Sequence, residues 1–161
     1  MFDKSIFEKL PLRVVVFEDN TAEQIAAGIA LTKVGLKCEI IDHFDLNAIS
    51  DDSSVIGVLT DVFLTTEPEG FGIAAFCSQH SIPCCIVTQQ VNHNFSGWKG
   101  AILEIWDKLD IKVFLSTTSP KNWESAALYF AQRIHTELLK APTPLGKSYQ
   151  RYFYHLNQQD E

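Results

Sequence analysis

The chain has no cluster of lysine or arginine: thirteen basic residues stand against twenty acidic ones, for a formal net charge of −7 over 161 residues. Nothing in that distribution could track a phosphate backbone, which argues against direct nucleic-acid binding. No apolar run approaches the roughly 18–20 residues that span a bilayer. The opening "MFDKSIFEKL" lacks the apolar core and cleavage site of a signal peptide. The expectation is a cytoplasmic protein with no membrane association. The four cysteines, Cys38, Cys77, Cys84 and Cys85, show no CxxC spacing, and read as reduced core residues, not as a metal or redox centre. His43, His80, His93, His135 and His155 share no metal-ligand spacing and pair with no nucleophile, so they read as surface residues. A glycine-rich phosphate loop is also missing. "LGKS" at 145–148 echoes the end of one, but Ala141 stands where its first glycine would fall and no strand precedes it. No internal repeat is visible.

What is present suits one domain with a real core, since 46% of the residues are hydrophobic and 20% charged. "LRVVVF" (12–17), "KCEII" (37–41), "VIGVLT" (55–60), "CCIVT" (84–88) and "IKVFLS" (111–116) are short, continuous apolar runs rich in β-branched residues. Between them lie helix-like segments. "TAEQIAAGIALTKVG" (21–35) places Ala22, Ile25, Ala26 and Ile29 on one face, with Thr21 and Gln24 as a capping box and Gly35 as a stop. A short helix candidate starts at Leu46, "GFGIAAFCSQH" (70–80) reads as helix, and "GWKGAILEIWDKLD" (97–110) is amphipathic. A long helix over 120–140 opens with Ser119 as cap and Pro120 at its first position. Runs buried on both faces, alternating with helices, predict a doubly wound α/β domain: a five-stranded parallel sheet with helices on both faces. Residues 11–140 form that domain. Residues 141–161 form a linker and a C-terminal helix whose Tyr149, Tyr152, Phe153 and Leu156 are exposed unless docked.

In such a domain a ligand sits beyond the carboxyl ends of the strands. Glu18 and Asp19 end the first strand, Asp61 the third, Thr88 the fourth, and Ser116 to Thr118 the fifth. Adjacent carboxylates at a buried strand end repel each other and resist leaving water, so a cation is expected among them. An oxygen-rich rim of this kind suits a hard cation such as Mg²⁺.

These motifs, taken in order, resemble a response-regulator receiver domain, the phosphoryl-accepting module of two-component signalling. "VVVFEDNTAEQIAAGIALTKVGLKCEI" looks like its opening strand, acidic pair and first helix. "VIGVLTDVFLTTEPEGFGIAAF" looks like the strand that ends in the phosphoacceptor, with its loop and helix. "IPCCIVTQQ" and "IKVFLS" are similar to the fourth and fifth strands. The resemblance implies that Asp61 is the phosphoacceptor, that Glu18, Asp19 and Asp61 hold Mg²⁺, that Thr88 meets the phosphoryl group, and that Phe114 is an aromatic switch. It implies a flavodoxin-like fold, no classical enzyme activity, a histidine kinase or phosphotransfer protein as donor, and a downstream protein target. Ser116, Thr117 and Thr118 depart from the pattern, because the family carries a lysine just beyond the fifth strand. Lys121 is the nearest substitute, and as the residue of a helix's first turn it reads as a solvated surface lysine. "TTEPEG" and the Gln89–Gly97 connection are longer than the family's. A degenerate receiver working as a phosphorylation-independent interaction module is therefore the second reading, and a flavodoxin-like small-molecule enzyme a third. A homodimer through the Trp98–Trp106 segment, the fifth strand and the last helices is also expected.

Overall fold

Three consecutive valines followed by phenylalanine leave the first strand no polar face, so it can only lie inside a sheet covered on both sides. The structure is a computed structural model that describes residues 12–50, 54–65, 67–89 and 105–158, with the backbone alone for residues 152 and 155–158. In it β1 (Arg13–Phe17), β2 (Cys38–Ile41), β3 (Val55–Thr60), β4 (Cys84–Gln89) and β5 (Lys112–Ser116) form one sheet in the order β2-β1-β3-β4-β5. Every pairing is parallel. The register sets Phe17 beside Thr60, Thr60 beside Ile86 and Ile86 beside Val113. The carboxyl ends of these strands therefore meet along one rim.

Alternate residues of β1 feed two separate cores. Val14 and Val16 join α1 (Thr21–Lys33) and α3 (Trp123–Lys140), through Ala27, Ala30, Leu31, Trp123, Phe130 and Ile134. Val15 and Phe17 face α2 (Glu69–Gln79) through Ile73, Ala74 and Cys77, together with Trp106. The doubly wound sheet expected from the apolar runs is the observed one. Between β2 and β3 the helix candidate from Leu46 is a single 3₁₀ turn, Leu46–Ala48, capped by Asp45. Of the amphipathic stretch 97–110, only residues 105–110 are described, helical at 105–108. Trp98, His93 and the connection 90–97 lie outside the described residues.

Three helix assignments are corrected. The buried stripe of α1 is Glu23, Ala27, Ala30 and Leu31, whereas Ile25 and Ile29 are 60% and 54% exposed. A carboxylate on the inner face hides the true stripe from a hydropathy pattern. The N-cap is Asn20, whose side chain accepts from the Glu23 N–H at 3.2 Å, while Gln24 Nε2 donates to the Glu18 carbonyl. The Thr21–Gln24 capping box is not made. Gly35 does end the helix, at φ 82°. Finally, α3 starts at Trp123 and not at Pro120, which follows a cis peptide bond in the loop before it.

The last helix, α4 (Pro144–Gln158), takes in "LGKS", which leaves only a short linker after α3. It docks on α3: Tyr149 is fully buried, and its hydroxyl lies 2.5 Å from His135 Nδ1. His135 also meets the Phe153 ring edge-on at 5.0 Å. It is thus no surface histidine, and burial holds its pKa below the ordinary value. The four cysteines are free thiols, with Cys77, Cys84 and Cys85 buried.

Close approach of α3 to the sheet depends on Gly57 in β3, where an added Cβ would stand 2.2 Å from the Phe130 ring. Gly57→Ala is expected to cost ~1–3 kcal/mol by overpacking, read by urea unfolding. Combined with Phe130→Leu, which vacates that space, the double variant should lose less than the sum of the two single losses.

Candidate functional site

The rim is assembled by backbone pairing before any side chain contributes. The Glu18 N–H donates to the Ile41 carbonyl and the Asp61 N–H to the Phe17 carbonyl, both at 3.0 Å, which carries the ladder one residue past β1 and β3. Glu18 and Asp61 are thereby locked as neighbours, 0% and 3% exposed. Gly70 fixes the far side, since a Cβ there would lie 1.8 Å from the Asp61 carbonyl oxygen. The first turn of α2 can pack on the end of β3 only without a side chain at that position.

Between the two buried carboxylates stands Lys121. Its Nζ donates to Glu18 Oε2 at 2.5 Å and to Asp61 Oδ2 at 2.8 Å, and the residue is only 7% exposed. The surface reading of Lys121 is overturned. The cation expected among these carboxylates is Lys121, the nearest substitute for the family's lysine, which the loop after β5 brings in five residues beyond Ser116 instead of from the strand end. The remaining oxygens are engaged by backbone: Glu18 Oε1 accepts from the Asn20 N–H at 3.0 Å, and Asp61 Oδ1 from the Val62 N–H at 2.7 Å. Asp19 is exposed and accepts from the Thr65 N–H at 2.7 Å. Carboxylate oxygens of Glu18, Asp19 and Asp61 all lie within 4.8 Å of one another, an arrangement compatible with a hard cation.

Thr88, the penultimate residue of β4, lies on the same rim, 1% exposed, and its hydroxyl has no hydrogen-bond partner among the described residues. A buried hydroxyl without a protein partner is costly, so Thr88 Oγ1 would gain from an acceptor bound at the rim. Phe114 on β5 is half-buried and meets Tyr129 of α3 edge-on at 5.8 Å. Ser116 caps the loop, its Oγ accepting from the Asn122 N–H at 2.7 Å, whereas Thr117 and Thr118 are exposed. One participant escaped the sequence reading altogether. Glu23, 3% exposed on α1, accepts from Ser119 Oγ, the Lys121 N–H and Trp123 Nε1. The sole hint of it in the sequence is its spacing, four and eight residues ahead of Ala27 and Leu31.

Similar architecture recurs in solved structures. A response regulator receiver domain protein from Clostridium thermocellum superposes with a TM-score of 0.59 at 16% identity, over 81% of this chain and 99% of that one. A response regulator receiver protein from Pseudomonas putida gives 0.56 at 13% identity, over 76% and 96% of the two chains. A response regulator from Colwellia psychrerythraea gives 0.50 at 15% identity, over 79% and 99%. The chain carries the receiver fold. No family model and no curated protein matches the sequence. Within that receiver fold, the rim of Glu18, Asp19, Asp61, Thr88 and Lys121 lies where ligands of doubly wound sheets bind. Among the described residues no helix is long and apolar enough to cross a membrane.

The electrostatics of the rim are those of crowded acids sharing one ammonium. Burial pushes the Glu18 carboxyl up to about 7; Lys121 pulls it down and Asp61 pushes it up again. Lys121 is itself held above its ordinary value: burial works against its charge, but Asp61 and Glu18 outweigh burial. Because the folded chain binds the Glu18 proton more tightly than the unfolded chain, the stability this group contributes is full below about 4.5 and is lost as pH rises through about 7. Lys121→Ala leaves both acids buried and unpaired, at a cost of ~3–5 kcal/mol. That cost should be larger at pH 8 than at pH 5.5, where Glu18 holds its proton. Urea unfolding at the two pH values measures the difference.

Proposed function

We propose that this chain is a phosphoacceptor receiver that takes a phosphoryl group on Asp61 from the phosphohistidine of a histidine kinase or phosphotransfer protein. The carrying observation is the pairing of a buried, cation-held Asp61 with the unpartnered hydroxyl of Thr88. An Asp61 oxygen would attack phosphorus in line as the N–P bond breaks, and the imidazole would leave with the bonding pair and take up a proton. Lys121, relieved of part of its pairing to Asp61, would then turn its donors to the phosphoryl oxygens, and Thr88 would gain the acceptor it lacks.

Mg²⁺ fits this donor set. Glu18, Asp19 and Asp61 would hold it, and when bound it would neutralise phosphoryl charge and polarise a P–O bond. The output of this cytoplasmic domain would be read by a protein partner, a second copy included, at the face of β5 and α3 where Phe114 packs on Tyr129. The role is that of a signalling domain and not of a classical enzyme. The reading as a phosphorylation-independent module was favoured by the absent lysine after β5; the ion pairs of Lys121 with Glu18 and Asp61 support the phosphoacceptor reading over it.

Incubation with Mg²⁺ and a small phosphodonor should add one phosphoryl group to the intact mass, and Asp61→Asn should abolish it. An unmodified wild-type chain under those conditions would return the interaction-module reading. Thr88→Val supplies an independent check. It should leave the metal-free protein as stable as wild type or up to ~1 kcal/mol more stable, since an unpaired buried hydroxyl is lost. The same change should shorten the lifetime of the adduct or lower its yield.

A further inference from the structure

The loop that delivers Lys121 has little packing of its own. Thr117, Thr118, Ser119 and Pro120 are all exposed, yet the next residue is buried between two carboxylates. β5 ends at Ser116, so the strand cannot fix the direction of a side chain that far along. The contacts that do fix the segment converge on one carboxylate from another element. Glu23 Oε1 accepts from Ser119 Oγ at 2.7 Å, and Oε2 accepts from the Lys121 N–H at 3.0 Å and from Trp123 Nε1 at 2.7 Å. These donors come from both flanks of Lys121 and from its own backbone. Ser116 adds one further tie, to the Asn122 N–H.

Glu23 suits this task. It lies in the first turn of α1, where the helix dipole favours a negative charge. The helix starts two residues after Asp19, so the element that carries Glu23 leads directly out of the acidic pair. Burial raises its pKa, but the hydrogen bonds from Lys121, Ser119 and Trp123 outweigh burial and keep it low, so it stays ionised. A glutamine in its place would offer one acceptor oxygen and turn an N–H₂ toward at least one donor.

We propose that Glu23 is a positioning residue for Lys121: by holding the backbone from Ser119 to Trp123, it sets Lys121 Nζ between Glu18 and Asp61. Its meaning for phosphoryl transfer rests on the phosphoacceptor reading above, whereas the placement of Lys121 does not. Glu23 affects the rim through Lys121, and that effect is what separates it from a residue that merely staples α1 to α3.

The test compares wild type with Glu23→Gln, Ser119→Ala, Lys121→Ala and the Glu23→Gln/Lys121→Ala double variant, all in the full chain. The first readout is the Lys121 side-chain ammonium resonance in ¹⁵N-labelled protein, assigned by its loss in Lys121→Ala. Burial and ion pairing should make it visible in wild type. It should shift or broaden away in Glu23→Gln, whose backbone amide spectrum remains that of a folded protein. The second readout is affinity for beryllofluoride with Mg²⁺, as a phosphoryl mimic. Glu23→Gln should weaken it about tenfold, the scale of a misplaced charge-assisted hydrogen bond. In the Lys121→Ala background the same change should cost nothing more. An unchanged ammonium resonance in Glu23→Gln, or an equal loss of mimic affinity with and without Lys121, would overturn the proposal. Should Glu23→Gln fail to fold, Ser119→Ala deletes one of the three donors and must still perturb the resonance, or the proposal falls. A wild type that binds no beryllofluoride would sink the phosphoacceptor reading alone, because the ammonium resonance would still decide the role of Glu23.

Discussion

Two carboxylates buried side by side cannot both stay ionised without a cation between them, and the architecture of this domain follows from how that requirement is met. Glu18 and Asp61 are adjacent because β1 and β3 are paired in register to their last residues and one step beyond. They are buried because those two strands are interior to the sheet. Neither condition can be relaxed without moving the sheet itself. The cation is therefore the adjustable part, and it arrives from outside the sheet, on the loop before α3.

That solution moves the structural burden from a strand to a helix. A lysine at the end of β5 would inherit its position from the ladder. Lys121, beyond a run of exposed residues, needs an external anchor, and α1 supplies one through Glu23. A third buried acid is thus present as a consequence of the first two. It is paired with neutral donors and not with an ammonium, so it adds no demand for another cation. The indole of Trp123 both donates to this carboxylate and opens the buried face of α3, so the anchor and the packing of α1 against α3 share one side chain.

The legible and illegible parts of the molecule divide along the same line. The interior strands β1, β3 and β4, and with them the doubly wound sheet, could be read from the β-branched apolar runs, because burial on both faces leaves few polar residues to confuse the pattern. The acidic rim was legible for the same reason: Glu18, Asp19, Asp61 and Thr88 follow directly on those runs. The face of α1 was misread because Glu23 occupies an inner position that periodicity reserves for apolar residues. The start of α3 and the placement of Lys121 were misread together. Both depend on hydrogen bonds to the side chain of Glu23, 96 and 98 positions earlier, and no local propensity encodes such contacts. A charge argument did reach the right demand, a cation at the end of β1, without the means to say which residue meets it.

Charge balance also links the parts of the site that the geometry keeps separate. Three carboxylates face one ammonium, so the rim holds an excess of negative charge that Lys121 alone does not cancel. Burial raises the proton affinity of Glu18, and Asp61 adds to that rise against the pull of Lys121. A proton, the Lys121 ammonium and, in the proposed function, a divalent cation are then competing ways of neutralising the same oxygens. Anything that draws Lys121 away from Glu18 and Asp61 raises the affinity of those oxygens for the other two. If Glu23 places Lys121 as proposed, it governs more than one contact: it would also set how strongly protons, and a metal in the proposed function, compete for the rim.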